Sequence, residues 1–183
     1  ELADGELLQL NNIKNQAVDE KVYFDIIKNK TAALFAACPE AGAMSVSSDE
    51  KAIQVMKDFG EYVGMCFQIR DDIFDYGNDA QIGKPTGNDM KEGKLTLPVI
   101  HALSSANNAE MFALARKVKA RSVSQEEIGI LVDFTKKNGG ISYAETVMAS
   151  YADKAKGLLA SFPDSDVKQA LCTYVDYVID RAI

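Results

Sequence analysis

The sequence predicts an all-α protein, a bundle of about seven to eight helices. Three observations carry that expectation. Apolar residues recur at helical spacing along most of the chain. No alternating strand pattern runs for more than a few residues. Glycine, proline and Ser-x-x-Glu signatures punctuate the chain at helix-length intervals. The 183 residues are 47% apolar, enough for one domain with a real core. No linker, repeat or low-complexity segment divides them, so residues 1–183 read as a single domain.

The elements follow in order. Leu7, Leu8 and Leu10 belong to a short opening helix that stops near Asn11-Asn12. A long helix from about Glu20 to Cys38 is closed by Pro39 and Gly42. Ser47-x-x-Glu50 reads as a capping box opening the next helix, which runs to about Tyr76. Residues 77–96 contain Gly77, Gly83, Pro85, Gly87 and Gly93 and read as a long loop, a kind of segment that is usually functional. Thr96-Leu97-Pro98 starts another helix, because proline suits the first turn. Further helices fall near 107–120, 125–137, 141–161 and 165–181. Ser124-x-x-Glu127 is a second capping box, and Gly139-Gly140 and Pro163 are breaks.

Composition removes several function classes. A net charge of −7 and a pI near 4.8 argue against nucleic acid and against an anionic membrane surface. Cys38, Cys66 and Cys172 are odd in number and lack a Cys-x-x-Cys spacing, which suits reduced, buried thiols in an intracellular, cytoplasmic protein. No stretch reaches the roughly 18 apolar residues of a membrane span. The single histidine, His101, sits among Val99, Ile100 and Leu103 and reads as a helix residue rather than a base. No Gly-x-Ser-x-Gly, Walker-type or Rossmann glycine pattern is present.

The informative segment is Phe67-Gln68-Ile69-Arg70-Asp71-Asp72-Ile73-Phe74-Asp75-Tyr76. Three carboxylates at i, i+1 and i+4 lie inside an otherwise apolar run that includes Met65, Cys66, Ile69, Ile73 and Phe74. On a helix Asp71 and Asp75 share a face, and like charges so placed repel by about 0.2–0.5 kcal/mol per pair. Burying them costs far more unless a cation joins them. Mg2+ prefers oxygen ligands and is commonly held by one or two carboxylates together with phosphates. The cluster therefore reads as a Mg2+–diphosphate handle; the alternative is a solvated charge run on a helix surface.

Other residues fit the same chemistry. Gln68 lies one turn before Asp71 and Asp72, where its amide can orient a carboxylate or meet a phosphate oxygen. Lys30 and Thr31 stand at the head of the apolar run Ala32-Ala33-Leu34-Phe35, a position that suits a diphosphate. The loop supplies Lys84, Asp89, Glu92 and Lys94 among its glycines and could close over a polyphosphate.

Together these residues resemble the all-trans polyprenyl diphosphate synthases. The likeness lies in Lys30-Thr31-Ala32-Ala33-Leu34-Phe35 and in Phe67-Gln68-x-x-Asp71-Asp72-x-x-Asp75-Tyr76. It continues through Gly83-Lys84-x-x-Gly87-x-Asp89 and Glu92-Gly93-Lys94-x-Thr96-Leu97-Pro98, and Gly5-Glu6-x-x-Gln9-Leu10 is similar to the helix before the Lys-Thr element. It covers residues 5–101; beyond about 105 only the helical architecture is similar.

The resemblance implies an isoprenoid-synthase-type helical bundle. It implies a prenyltransferase that joins an allylic diphosphate to isopentenyl diphosphate through Mg2+-assisted ionisation. Asp71, Asp72 and Asp75 would form the second aspartate-rich motif and hold the metal. Asp71, Asp72 and Lys30 would carry the catalysis. Lys30, Thr31, Gln68, Lys84 and Lys94 would bind substrate, and the full-length protein would be a homodimer. The family's first aspartate-rich motif and its Gly-Lys-x-x-Arg element should precede Gly5, and neither is present in this chain. The resemblance thus implies a C-terminal portion with its N-terminal helices missing, incomplete and inactive alone. Alternative readings are a class I terpene cyclase, which would carry a further Asn/Asp-x-x-x-Ser/Thr-x-x-x-Glu metal motif downstream, and a non-catalytic helical subunit.

Overall fold

The structure, a computed structural model, describes residues 2–15, 18–77 and 86–181. All regular structure among these residues is helical. In order the elements are α1 (Leu2–Lys14), α2 (Glu20–Ile27), a π turn (Lys28–Ala32), α3 (Ala33–Val46), α4 (Glu50–Phe74) and α5 (Asn88–Lys91). They continue with α6 (Leu97–Ala106), α7 (Ala109–Lys119), α8 (Gln125–Lys137), α9 (Gly140–Leu159) and α10 (Asp166–Asp180). The described residues gather into two compact units. One holds residues up to Gly5, Ile27–Arg70 and those from Thr146 onward; the other holds Glu6–Ile26 and Asp71–Glu145.

In the first unit α3 and α4 meet through small residues. A methyl group added at Gly60 would stand 2.3 Å from the Phe35 carbonyl oxygen and 2.6 Å from the Pro39 ring, and one at Gly64 would stand 2.6 Å from Ala32 Cα. Only glycine lets the two backbones approach this closely. The same contact explains a departure from expectation. Pro39 and Gly42 do not close the helix, which runs on to Val46 with Pro39 inside it. Proline's fixed φ is helical, but its missing amide leaves the Phe35 carbonyl without its usual donor four residues on. The Gly60 backbone lies against that oxygen. The helical run is instead interrupted earlier, where the Ala33 amide bonds to the Lys28 carbonyl five residues back.

In the second unit α6 is buried almost all round, through Leu97, Val99, Ile100 and Leu103, and it packs on α8. Each such aliphatic side chain contributes about 1.5–3 kcal/mol when fully buried. Close approach recurs at the start of α9, where a Cβ on Gly140 would stand 2.3 Å from the Pro98 carbonyl oxygen. α1 outruns its expected stop at Asn11-Asn12 because a buried cation caps it. The Lys119 ammonium, on α7, donates to the carbonyls of Asn12 at 3.0 Å and Asn15 at 2.8 Å. A cation at a helix C-terminus also meets the favourable end of the macrodipole.

The capping signals divide. At Ser124 the box is complete: Ser124 Oγ accepts from the Glu127 amide at 3.2 Å and Glu127 Oε2 accepts from the Ser124 amide at 2.9 Å. At Ser47 it is not formed. Ser47 Oγ accepts from the Asp49 amide, and the Asp49 carboxylate accepts from the Lys51 amide at 3.0 Å, so Asp49 caps α4. The expected long loop is also shorter in its described part. Gly87, at φ +78°, turns the chain directly into α5; the part of the loop over residues 78–85 lies outside the described residues.

The α3–α4 contact predicts opposite outcomes for two glycines. Gly60→Ala forces the helices apart and should lower stability by about 1–3 kcal/mol, the usual cost of overpacking. At roughly 2–4 °C per kcal/mol for a chain this size, thermal denaturation will show the loss. Gly42→Ala, which meets nothing within 4 Å, should be neutral or stabilising. Equal melting temperatures for the two variants would contradict this packing.

Candidate functional site

Lys30 and Thr31 sit in the π turn, where one residue is squeezed into the helical run. Such π bulges are frequent at functional sites. The turn is seated by α1, because a Cβ on Gly5 would stand 2.5 Å from the Lys30 amide nitrogen and 2.8 Å from its Cα. That close approach accounts for the glycine in the Gly5-Glu6 element. Thr31 Oγ1 donates to Gln68 Oε1 at 2.7 Å. The threonine thereby fixes the amide's orientation, and any hydrogen bond that Gln68 gives to an anion comes from its Nε2 amino group. Beside this pair Lys28 is bonded to Glu61 at 2.8 Å, which holds the Lys28 ammonium above its ordinary pKa against the opposing effect of burial.

The three aspartates at and just after the C-terminal end of α4 have different surroundings. Asp71 is exposed. Asp72 is 5% exposed and accepts a 2.7 Å hydrogen bond from the Tyr23 hydroxyl on α2. Asp75, just beyond the end of α4, is bonded to the backbone that opens α5. Its Oδ1 accepts from the Asn88 amide at 2.8 Å and its Oδ2 from the Asp89 amide at 3.2 Å, while its carbonyl accepts from the Gly87 amide at 2.9 Å.

The electrostatics are crowded. Burial, then the neighbouring Asp89 carboxylate, push Asp75 from its ordinary 3.8 to about 6, against the opposing pull of the Asn88 and Asp89 amides and Lys94. Burial raises Asp89 as well, with Glu92 and Asp71 adding to the effect and Lys94 opposing it. Lys94 bridges Glu92 at 2.6 Å and Asp89 at 3.4 Å. Burial, and then the charge on Asp72, raise Tyr23 well above a free phenol. Burial likewise raises Tyr76, whose hydroxyl lies 3.2 Å from Thr96 Oγ1. Lys84 lies outside the described residues. His101 is no part of this cluster; its ring stacks on Tyr143 at 3.8 Å and 10°.

The donor set fits a hard divalent cation that is shared with a phosphate ligand. Among the described residues no three or more His, Cys, Asp or Glu side chains gather closely enough to hold a metal by themselves. Yet Asp75 is raised by burial and by a second carboxylate, an arrangement that added positive charge relieves. One functional candidate, Tyr23, has no signal in the sequence, and the pairing of Asp89 with Asp75 has none either; only the fold brings Tyr23 to Asp72 and Asp89 to Asp75.

Comparison with known proteins identifies the family. The family model described as polyprenyl synthetase matches residues 1–133. The octaprenyl diphosphate synthase of Haemophilus influenzae is 34% identical over 181 residues, which is 98% of this chain and 55% of that protein. The crystal structure of a geranylgeranyl pyrophosphate synthase from Bacteroides thetaiotaomicron matches with a TM-score of 0.93 at 53% identity, over 98% of this chain and 60% of that one. A polyprenyl synthase from Caulobacter crescentus, solved with calcium and isoprenyl diphosphate, matches with a TM-score of 0.89 at 35% identity, over 100% of this chain and 56% of that one. The chain therefore spans about half the length of the relatives it matches, 55% of the Haemophilus protein. It belongs to the polyprenyl synthetase family.

Proposed function

We propose that this chain forms the diphosphate-binding, second aspartate-rich part of a trans-prenyltransferase. In the whole protein an allylic diphosphate condenses with isopentenyl diphosphate. The observation that carries the reading is the division of labour on α4: Asp72 and Asp75 are held by Tyr23 and by the Asn88–Asp89 amides, while Asp71 faces solvent. Supporting it, the Caulobacter neighbour was solved with a divalent cation and an isoprenyl diphosphate.

Bound Mg2+ would neutralise charge on the diphosphate and so favour its departure from the allylic carbon. Asp71, Asp72 and Asp75 are the residues to hold it. Asp71 offers the accessible oxygens. Asp75 has two amides on its carboxylate, which can accept about four hydrogen bonds or ligand contacts. Lys30 places a point charge against the developing negative charge, and Thr31 sets the Gln68 amide to donate to a phosphate oxygen. Lys84 and Lys94 add cations from the loop, Lys94 by exchanging Glu92 for phosphate. Preorganised donors of this kind act mainly in the transition state, where charge on the leaving group is greatest. In this reading the two units belong to one domain of a cytoplasmic homodimer. Of the three cysteines, all free thiols, Cys66 is buried as expected, whereas Cys38 is exposed and Cys172 half-buried; among the described residues no helix is long and apolar enough to cross a membrane.

Isothermal titration of the 183-residue chain with inorganic pyrophosphate tests this directly. Binding should require Mg2+, and Asp71→Ala should weaken it by about ten-fold or more, as expected for loss of a metal ligand or its support. Lys30→Ala should weaken it without changing the Mg2+ requirement. Binding that ignores Mg2+, or survives Asp71→Ala unchanged, contradicts the assignment.

The raised carboxylate gives a pH signature in the metal-free chain. Between its ordinary 3.8 and about 6, folded Asp75 keeps a proton that the unfolded chain releases, so its contribution to stability falls as pH rises. Asp75→Asn lacks that fall. In urea unfolding the variant should therefore gain on the parent as pH rises from about 4 to about 6. A gap that is constant across this window would show that Asp75 titrates normally.

A further inference from the structure

We infer that Tyr23 is a positioning residue for Asp72, and that its hydroxyl sets the carboxylate geometry through which the α4 acids hold a Mg2+–diphosphate. The inference rests on the proposed Mg2+–diphosphate reading of these acids and adds a residue from another helix.

Three observations carry it. The first is burial without apolar purpose. Tyr23 is 4% exposed and Asp72 is 5% exposed, 49 residues apart in sequence. An ionised carboxylate that far from water needs donors, since it can only accept. The second is the bond itself. The Tyr23 hydroxyl donates to Asp72 Oδ2 at 2.7 Å, within the range of charge-assisted O–H···O contacts. A donor fixed on one oxygen sets the rotation of the carboxylate and therefore where Oδ1 stands. The third is the rigidity of the donor. The Tyr23 ring packs edge-on against Phe24 at 5.4 Å. A hydroxyl on a ring has far less freedom than one on a serine or a water. Binding sites need their groups held to within about 0.5 Å of the productive geometry, and that precision comes from the groups behind them.

A purely structural tyrosine would satisfy the same buried carboxylate and do nothing more. The two roles separate in a double-mutant cycle read out on ligand binding. The 183-residue chain, Tyr23→Phe, Asp72→Asn and the double variant are titrated with inorganic pyrophosphate over a series of Mg2+ concentrations. Thermal melting of each is recorded without ligand. Loss of an outer-shell partner typically costs about 10–100-fold in metal affinity. Tyr23→Phe should weaken Mg2+-dependent pyrophosphate binding by about ten-fold, with the loss recovered at high Mg2+. In the Asp72→Asn background the same change should have little further effect, because the hydroxyl acts through the carboxylate. Should Tyr23→Phe fold poorly, replacing Tyr23 with 3-fluorotyrosine keeps ring and hydroxyl and should bind like the parent, while 4-fluorophenylalanine, which keeps the shape and loses the donor, should not.

The outcomes are distinct. A parent chain that shows no Mg2+-dependent pyrophosphate binding overturns the functional reading and this inference with it. A parent that binds, with Tyr23→Phe binding equally well at a lowered melting temperature, overturns this inference alone. Additive losses in the cycle also overturn it, because they place the tyrosine's effect somewhere other than Asp72.

Discussion

An aspartate carried into apolar surroundings must be met by a donor or a cation, and the end of α4 with the residue after it brings two of them there, Asp72 and Asp75. Ile73 and Tyr76, which alternate with them in the chain, are buried, so the segment cannot turn all its charges to water. The fold answers with the Tyr23 hydroxyl on Asp72 and with the amides of Asn88 and Asp89 on Asp75. These bonds do more than satisfy the acids. The first ties α2 to the C-terminal end of α4. The second fixes where the chain re-enters after the loop and starts α5. Asp71, one residue before Asp72, is left at the surface.

The satisfaction is incomplete where it concerns Asp75. Two backbone amides lower the cost of its charge, yet burial and the facing Asp89 still raise it to about 6. Lys94 moderates Asp89 and is itself shared with Glu92. Such a cluster is tolerable without ligand and better with added positive charge, which is the electrostatic form expected of a site that takes up Mg2+ together with a phosphate. The Lys-Thr element follows the same economy of means. A π turn presents Lys30 and Thr31, Gly5 lets α1 press against the turn's backbone, and Thr31 orients Gln68.

Much of this is legible in the amino-acid order because the signals are local. The Ser124 box, the Gly139-Gly140 break and the proline at the start of α6 mark helix ends through short-range bonding, and they stand where expected. Asp71, Asp72 and Asp75 announce themselves as charges in an apolar run. What the order of residues hides depends on distant partners. Pro39 looks like a stop until Gly60 is seen against the Phe35 carbonyl, and Asn11-Asn12 looks like a stop until Lys119 arrives from α7. The π turn has no composition of its own. Tyr23 carries no sign in sequence that its hydroxyl, and not its ring, is what the site uses.

The central claim is that the α4 acids are held in a partly frustrated state that a Mg2+–diphosphate resolves. Carbon-13 NMR of labelled aspartate side chains reads this at Asp75 itself. The account predicts a midpoint of about 6 in the metal-free chain. With Mg2+ and pyrophosphate present it should fall to about 4 or below, the range of an aspartate beside a cation. A midpoint near 4 without metal, or one that stays near 6 when both are added, would contradict the account.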